Sequence, residues 1–306
     1  MECFGSDDEE ESIEPIKRDA SCGICSFHPH TESSLLSHVR NSLASTQTAV
    51  SVDHKMMNAY SLKLEKAEQV LKSVDAFCMQ RHWMMHVGPE KGKILSKTLK
   101  ETIDVKLSSS NEQFVLVELG SYCGYSSILM ARECFVAYGT KMNVKLITCE
   151  INPEFFGVAK ELIKLSGLDD VISLVEVSYN GHSTNMVDLL RDELKPIHYD
   201  TQNAVQKTID LLFIDHDKDS YKSDLMDLEA SGLIRCGTRV VADNVVFAQI
   251  NDYVKYVQKR QQDGVVTTKT IPCQVEYSNG EVIEGNSESL VDGIGKSCTD
   301  PYHYSM

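Results

Sequence analysis

Between Ile209 and Tyr221 the chain reads IDLLFIDHDKDSY, and an apolar run passes within one residue into a cluster of titratable side chains. Leu211, Leu212, Phe213 and Ile214 do not alternate with polar residues, the pattern of a strand buried on both faces and so of a parallel sheet. Asp215, His216, Asp217, Lys218 and Asp219 then fall at its carboxyl end, where open α/β sheets place their ligands.

The flanking chain supplies the rest of such a sheet. Phe114–Leu119, Val144–Cys149, Val171–Val177 and Thr238–Val241 have the length and apolar content of further strands. Helical spacing predicts helices over Ser33–Thr46, Leu62–Gln80, Lys91–Lys100, Thr184–Leu194, Tyr221–Ala230 and Gln249–Gln261, with Gly88-Pro89 read as a stop. Asn152-Pro153-Glu154 opens another helix with a cap, a proline at the first position and an early acid. Val265–Ile271, Cys273–Tyr277 and Glu281–Glu284, punctuated by Ser278-Asn279-Gly280, predict hairpin structure, and Leu290–Cys298 a last strand. The predicted fold class is α/β: a Rossmann-like, mostly parallel sheet with helices on both faces.

A 42% hydrophobic fraction can fill the core of such a domain, and no apolar run nears the roughly 18 residues of a membrane span. A net charge of −15 argues against nucleic acid as a partner. Much of it sits in Glu2, Asp7, Asp8, Glu9, Glu10, Glu11 and Glu14, so 1–58 is expected to be a largely disordered acidic tail with a short helix. The domain is expected over 59–298 and a short tail over 299–306. Without a secretory signal, a cytoplasmic location and reduced thiols are the expectation for the ten cysteines. Cys22, Cys25, His28 and His30 could form a zinc set, but their spacing is cramped and a flexible tail is the alternative. A monomer is the favoured oligomeric state.

The turn after the first strand, Gly120-Ser-Tyr-Cys-Gly124-Tyr-Ser126, lacks the three-glycine spacing that a dinucleotide diphosphate needs. Glu150, ending the second strand, can accept hydrogen bonds from ribose hydroxyls. Glu118 adds negative charge that repels a diphosphate and tolerates a cationic sulfonium. These residues favour S-adenosylmethionine over NAD, with a purely structural glycine turn as the other reading. Asp215, Asp243 and Asn244 end adjacent candidate strands and offer hard oxygen donors suited to Mg2+, or they are solvated caps. Lys218 could act there as a general base, although Asp217 and Asp219 raise its proton affinity.

Trp83-Met-Met-His-Val-Gly88 with Lys91-Gly92-Lys93, Glu118–Ser126, Glu150-Ile-Asn-Pro153, Asp215–Tyr221 and Ala242-Asp-Asn-Val245 together resemble the catechol O-methyltransferase family over about Leu62–Gly293. The resemblance implies a seven-stranded methyltransferase sheet with the last strand antiparallel, S-adenosylmethionine and magnesium as cofactors, and a small-molecule catechol as substrate. By matching position it implies Asp215, Asp243 and Asn244 as magnesium ligands and Lys218 as the base. Val87, Gly120, Tyr122, Ser126, Glu150, Ile151 and His216 fall at the family's cofactor positions, and Tyr179 and Asn180 lie near the adenine. Trp83, Met85, Asp217 and Asn286 fall on the substrate side.

Some of these positions depart from the family. Asp217 stands where relatives carry an aromatic gate, Ala248 replaces a gate proline, and Asn286 replaces a glutamate that Glu284 or Glu288 could substitute. The mouth is therefore expected to be open and acidic, which suits a cationic amine. Two alternatives stand beside transfer to a catechol: the same chemistry on a bulkier phenol, and a silent cofactor-binding scaffold.

Overall fold

The computed structural model describes residues 29–49, 59–81, 84, 86–109, 112–139, 143–179, 184–195, 207–246, 248–274 and 291–299. Five parallel strands form its centre: β1 (Phe114–Leu119), β2 (Val144–Glu150), β3 (Ile172–Glu176), β4 (Leu211–Ile214) and β5 (Arg239–Ala242). With β6 (Val266–Gln274) and β7 (Val291–Thr299) they make a seven-stranded sheet in the order β3-β2-β1-β4-β5-β7-β6. Strand β7 runs antiparallel to both β5 and β6.

Because side chains alternate across a strand, each strand feeds two cores. Phe114, Leu116, Leu211 and Phe213 face the side covered by helices α1 (Pro29–Ala49), α2 (Ala59–Gln80), α3 (Gly88–Ser109), α4 (Tyr125–Tyr138) and α5 (Pro153–Ser166). Val115, Val117, Leu119, Leu212 and Ile214 face the side of α6 (Met186–Glu193), α7 (Tyr221–Ala230) and α8 (Asn251–Gln262). The unbroken apolar run of β4 is thus explained: both faces are covered.

Three expectations change. The short N-terminal helix is a 21-residue helix whose Leu35 and Val39 are fully buried in the first core, with Arg40 paired to Glu161 of α5. Gly88-Pro89 begins α3 rather than ending a helix, as proline suits a first turn where its missing N–H has no partner to lose. Val265–Ile271 and Cys273–Tyr277 do not split at Pro272. Pro272 lies inside β6, the sheet's edge strand, where a residue without an N–H is tolerated. The pairing partner of β6 is β7, and 275–290 lie outside the described residues. Asn152 does cap α5, accepting from the N–H groups of Glu154 at 2.8 Å and Phe155 at 3.3 Å.

Among the described residues no helix is long and apolar enough to cross a membrane, and Cys78, Cys123, Cys134, Cys149, Cys236 and Cys273 are not in disulfides. The tail containing Cys22, Cys25 and His28, the side chain of His30 and the segment 299–306 except Thr299 lie outside what is described.

Candidate active site

The turn after β1 hangs from the end of β2: Gly120 and Ser121 both donate backbone N–H to the Cys149 carbonyl, at 2.9 and 3.1 Å. Gly120 has φ +98°, and a Cβ there would meet the Asp215 carbonyl oxygen at 2.3 Å and the His216 Cα at 2.9 Å. Glycine is required because the turn passes over the end of β4 with no room for a side chain. Tyr122 also takes a positive φ of 49°, which directs its N–H to Glu150 Oε2 at 2.8 Å.

Glu150 Oε1 accepts from the N–H groups of Ile151 at 3.0 Å and Asn152 at 2.9 Å. Burial raises its pKa, opposed by those three backbone donors and by His216. The carboxylate is therefore fixed in orientation, and the lone pairs it has left can meet a diol such as a ribose. Beneath the turn, Glu118 is fully buried, with Oε2 accepting from Ser127 and Thr148. Burial pushes its pKa up to about 7, against hydrogen bonds that include one from Ser126. Glu118 Oε1 is buried without a hydrogen-bond partner.

At the end of β4, Asp215 accepts from Lys218 Nζ at 2.8 Å. The same Nζ donates to Tyr221 Oη at 2.8 Å, and that hydroxyl donates to the Asp243 carbonyl at 3.3 Å. The Tyr221 ring is fully buried, stacked on His216 at 5.1 Å and edge-on to Tyr253 at 5.7 Å. His216 Nε2 lies 2.6 Å from Asp224 Oδ2, while Nδ1 is buried with no hydrogen-bond partner. His216 is thereby held by Asp224 through Nε2, and its Nδ1 is left as a buried polar atom for a ligand. Asp217 is exposed, stands at the N-cap position of the following 3-10 turn, Lys218–Ser220, and accepts from Ser220 Oγ at 2.8 Å.

Ile214 pairs with Ala242, so Asp215 and Asp243 leave neighbouring strands side by side. Asp243 Oδ2 accepts from Lys91 Nζ at 2.7 Å, and Oδ1 from the Asn244 N–H at 2.8 Å. Asn244 is buried and takes φ 55°. Among the described residues there is no cluster of three or more His, Cys, Asp or Glu fit for a metal. The set in question is two carboxylates and one amide, all hard oxygen donors of the kind Mg2+ takes. Two buried polar atoms without hydrogen-bond partners, Glu118 Oε1 and His216 Nδ1, together with the fixed Glu150, fit a polar nucleoside ligand.

The structure thus brings Gly120, Tyr122, Ser126, Glu150, His216, Asp215, Lys218, Asp243 and Asn244 to one end of the sheet. Val87 is buried just before α3, whereas Ile151 and Tyr179 are exposed apolar residues. Trp83, Met85, Asn180, Asn286, Glu284 and Glu288 lie outside the described residues. Sequence reasoning gave no role to Lys91, Tyr221 or Asp224. The last two follow Asp215 by six and nine residues at the start of α7, and that first turn was the available signal.

Residues 61–266 match the model of an O-methyltransferase family. The chain belongs to that family. Catechol O-methyltransferase of Bos taurus is 30% identical over 227 residues, covering 74% of this chain and 71% of the relative. Catechol O-methyltransferase B of Danio rerio is 36% identical over 230 residues, 75% of this chain and 71% of the relative. The Mus musculus catechol O-methyltransferase is 32% identical over 230 residues, 75% and 74% of the two chains. As a member of the catechol O-methyltransferase family, the protein is an S-adenosylmethionine-dependent O-methyltransferase.

Proposed function

We propose that this O-methyltransferase transfers the methyl group of S-adenosylmethionine to one hydroxyl of a magnesium-chelated catechol or related vicinal diol. The observation that carries this reading is the juxtaposition of Asp215 and Asp243-Asn244 on paired strand ends, with Lys218 hydrogen-bonded to Asp215 at 2.8 Å. Asp215, Asp243 and Asn244 would hold magnesium, whose chemistry there is to draw both hydroxyls together and lower their pKa.

The chain's own residues do the rest. As the free amine, Lys218 Nζ receives the hydroxyl proton on its lone pair, and Tyr221 Oη and Asp215 Oδ1 hold that nitrogen in place. Glu150 and His216 Nδ1 seat the nucleoside part of the cofactor, and Glu118 sets negative charge under a turn that faces a sulfonium. Attack of the oxygen on the methyl carbon, in line with the departing sulfur, then depends on position.

Asp217 shapes the acceptor. Exposed and held by Ser220, it gives the mouth a negative rim in place of an aromatic wall, which favours a cationic catechol-type amine. The same openness supports a second reading, transfer to a bulkier phenol.

Labelled S-adenosylmethionine incubated with the protein and a panel of catechols, catecholamines and monophenols tests both. The expected result is label on vicinal diols, lost with chelator and restored by magnesium. Cofactor binding with no label on any diol would reject the catechol reading, and label on monophenols alone would establish the second.

A further inference from the structure

Lys91, in the first turn of α3, is 1% exposed, and its Nζ reaches Asp243 Oδ2 at 2.7 Å across 152 residues of sequence. Lysine is seldom buried this completely unless its charge is met. Asp243 is equally buried at 1%, so the pair sits in a medium where each charge depends on the other. The neighbouring Gly92 packs against α4, where a Cβ would meet Leu129 Cδ2 at 2.9 Å. The second oxygen of Asp243 is taken by the Asn244 N–H at 2.8 Å, so the carboxylate plane is fixed from both ends.

We propose that Lys91 is a positioning residue, the resident counter-cation of Asp243, which holds that carboxylate oriented and charge-balanced without a divalent ion. The inference rests on the reading of Asp243 as a magnesium ligand only where metal enters. A site of buried carboxylates that relied on its metal for neutrality would unfold when the metal left, because folding and binding would be linked. With an ammonium built into the core, the fold is independent of the metal and the loop carrying Asn244 is already in place for it.

Thermal unfolding of the full chain tests this, with wild type, Lys91→Met and the double variant Lys91→Met/Asp243→Asn, each in chelator and in magnesium chloride. In chelator, Lys91→Met is expected to melt roughly 6–20 °C below wild type, the range for stranding one charge of a buried pair in a chain of this size. The double variant should recover most of that loss in chelator, since no buried charge is left alone. Magnesium should restore much of the stability of Lys91→Met while moving wild type by a few degrees.

A Lys91→Met protein as stable as wild type in chelator overturns the proposal, as does a double variant that melts as low as the single one. If Lys91→Met fails to fold in either buffer, the double variant decides: recovery supports the pairing and failure rejects it. A deficit that magnesium does not relieve, in a protein whose wild type binds magnesium by calorimetry, also overturns it. Wild type that binds no magnesium sinks the metal reading of the previous section, while the chelator arms still decide for or against Lys91.

Discussion

Strand β4 carries an aspartate at each end, Asp210 just before Leu211 and Asp215 just after Ile214, and their surroundings differ. Asp210 is satisfied from three directions: Oδ1 accepts from Lys106 at 3.0 Å and Arg235 at 2.9 Å, and Oδ2 from the Val115 N–H at 2.9 Å. Its backbone joins the neighbouring strands through Val115 and Arg239. Asp215 instead meets Lys218, three residues along its own loop, next to two buried polar atoms without hydrogen-bond partners, Glu118 Oε1 and His216 Nδ1. The same residue type is a staple where other elements saturate it and a reactive group where they leave capacity for a ligand.

Four substitutions would break or sharpen this contrast. The largest effect is expected from Lys218→Ala, which should lower turnover by roughly 10²–10⁴-fold while the affinity for S-adenosylmethionine, read by calorimetry, stays near wild type. At the other end of the strand, Asp210→Ala should do the reverse. Urea unfolding should show a loss of about 3 kcal/mol, because Lys106 and Arg235 lose their shared carboxylate and the Val115 N–H its acceptor, and the protein that remains folded should bind cofactor normally.

Glu118→Gln probes the ligand end through pH. The Glu118 pKa is raised to about 7 in the fold from an ordinary value of 4.5, so the native state binds the extra proton between those values. Wild-type stability therefore falls as pH rises through that window, and the glutamine variant should flatten the fall. The difference, accumulated by pH 8 and read from melting curves, should be on the order of 3 kcal/mol. The smallest effect is expected from Tyr221→Phe, which removes one acceptor from Lys218 and keeps the ring stacked on His216. A drop in kcat of roughly 5-fold with KM unmoved, and a shifted pH–rate limb, would show that the hydroxyl positions the lysine.

The ligand end of β4 was legible because its signal is local: an apolar run, then acids and a lysine within four residues. The strand alternation and the capped start of α5 were legible for the same reason. Lys91 was not, since it looks like any lysine in an amphipathic helix and its partner is 152 residues away. Asp210 was hidden likewise, because Lys106 and Arg235 come from elements on either side of it in sequence. The burial of α1 escaped notice because its apolar residues are sparse, and Leu35 and Val39 matter only once α2 and α5 are beside them.

Gly120 bears on how such an enzyme can change its acceptor over time. Its backbone lies against the Asp215 carbonyl, so the cofactor turn and the start of the loop that presents Lys218 are packed main chain on main chain. Even an alanine at 120 would have to push the end of β4 away, disturbing both reactants at once. Variation is then freer at Asp217 and Asp219, the exposed side chains of that loop on either side of Lys218. New specificity on this scaffold is to be sought at that rim, by selection or by design, with Gly120 left unchanged.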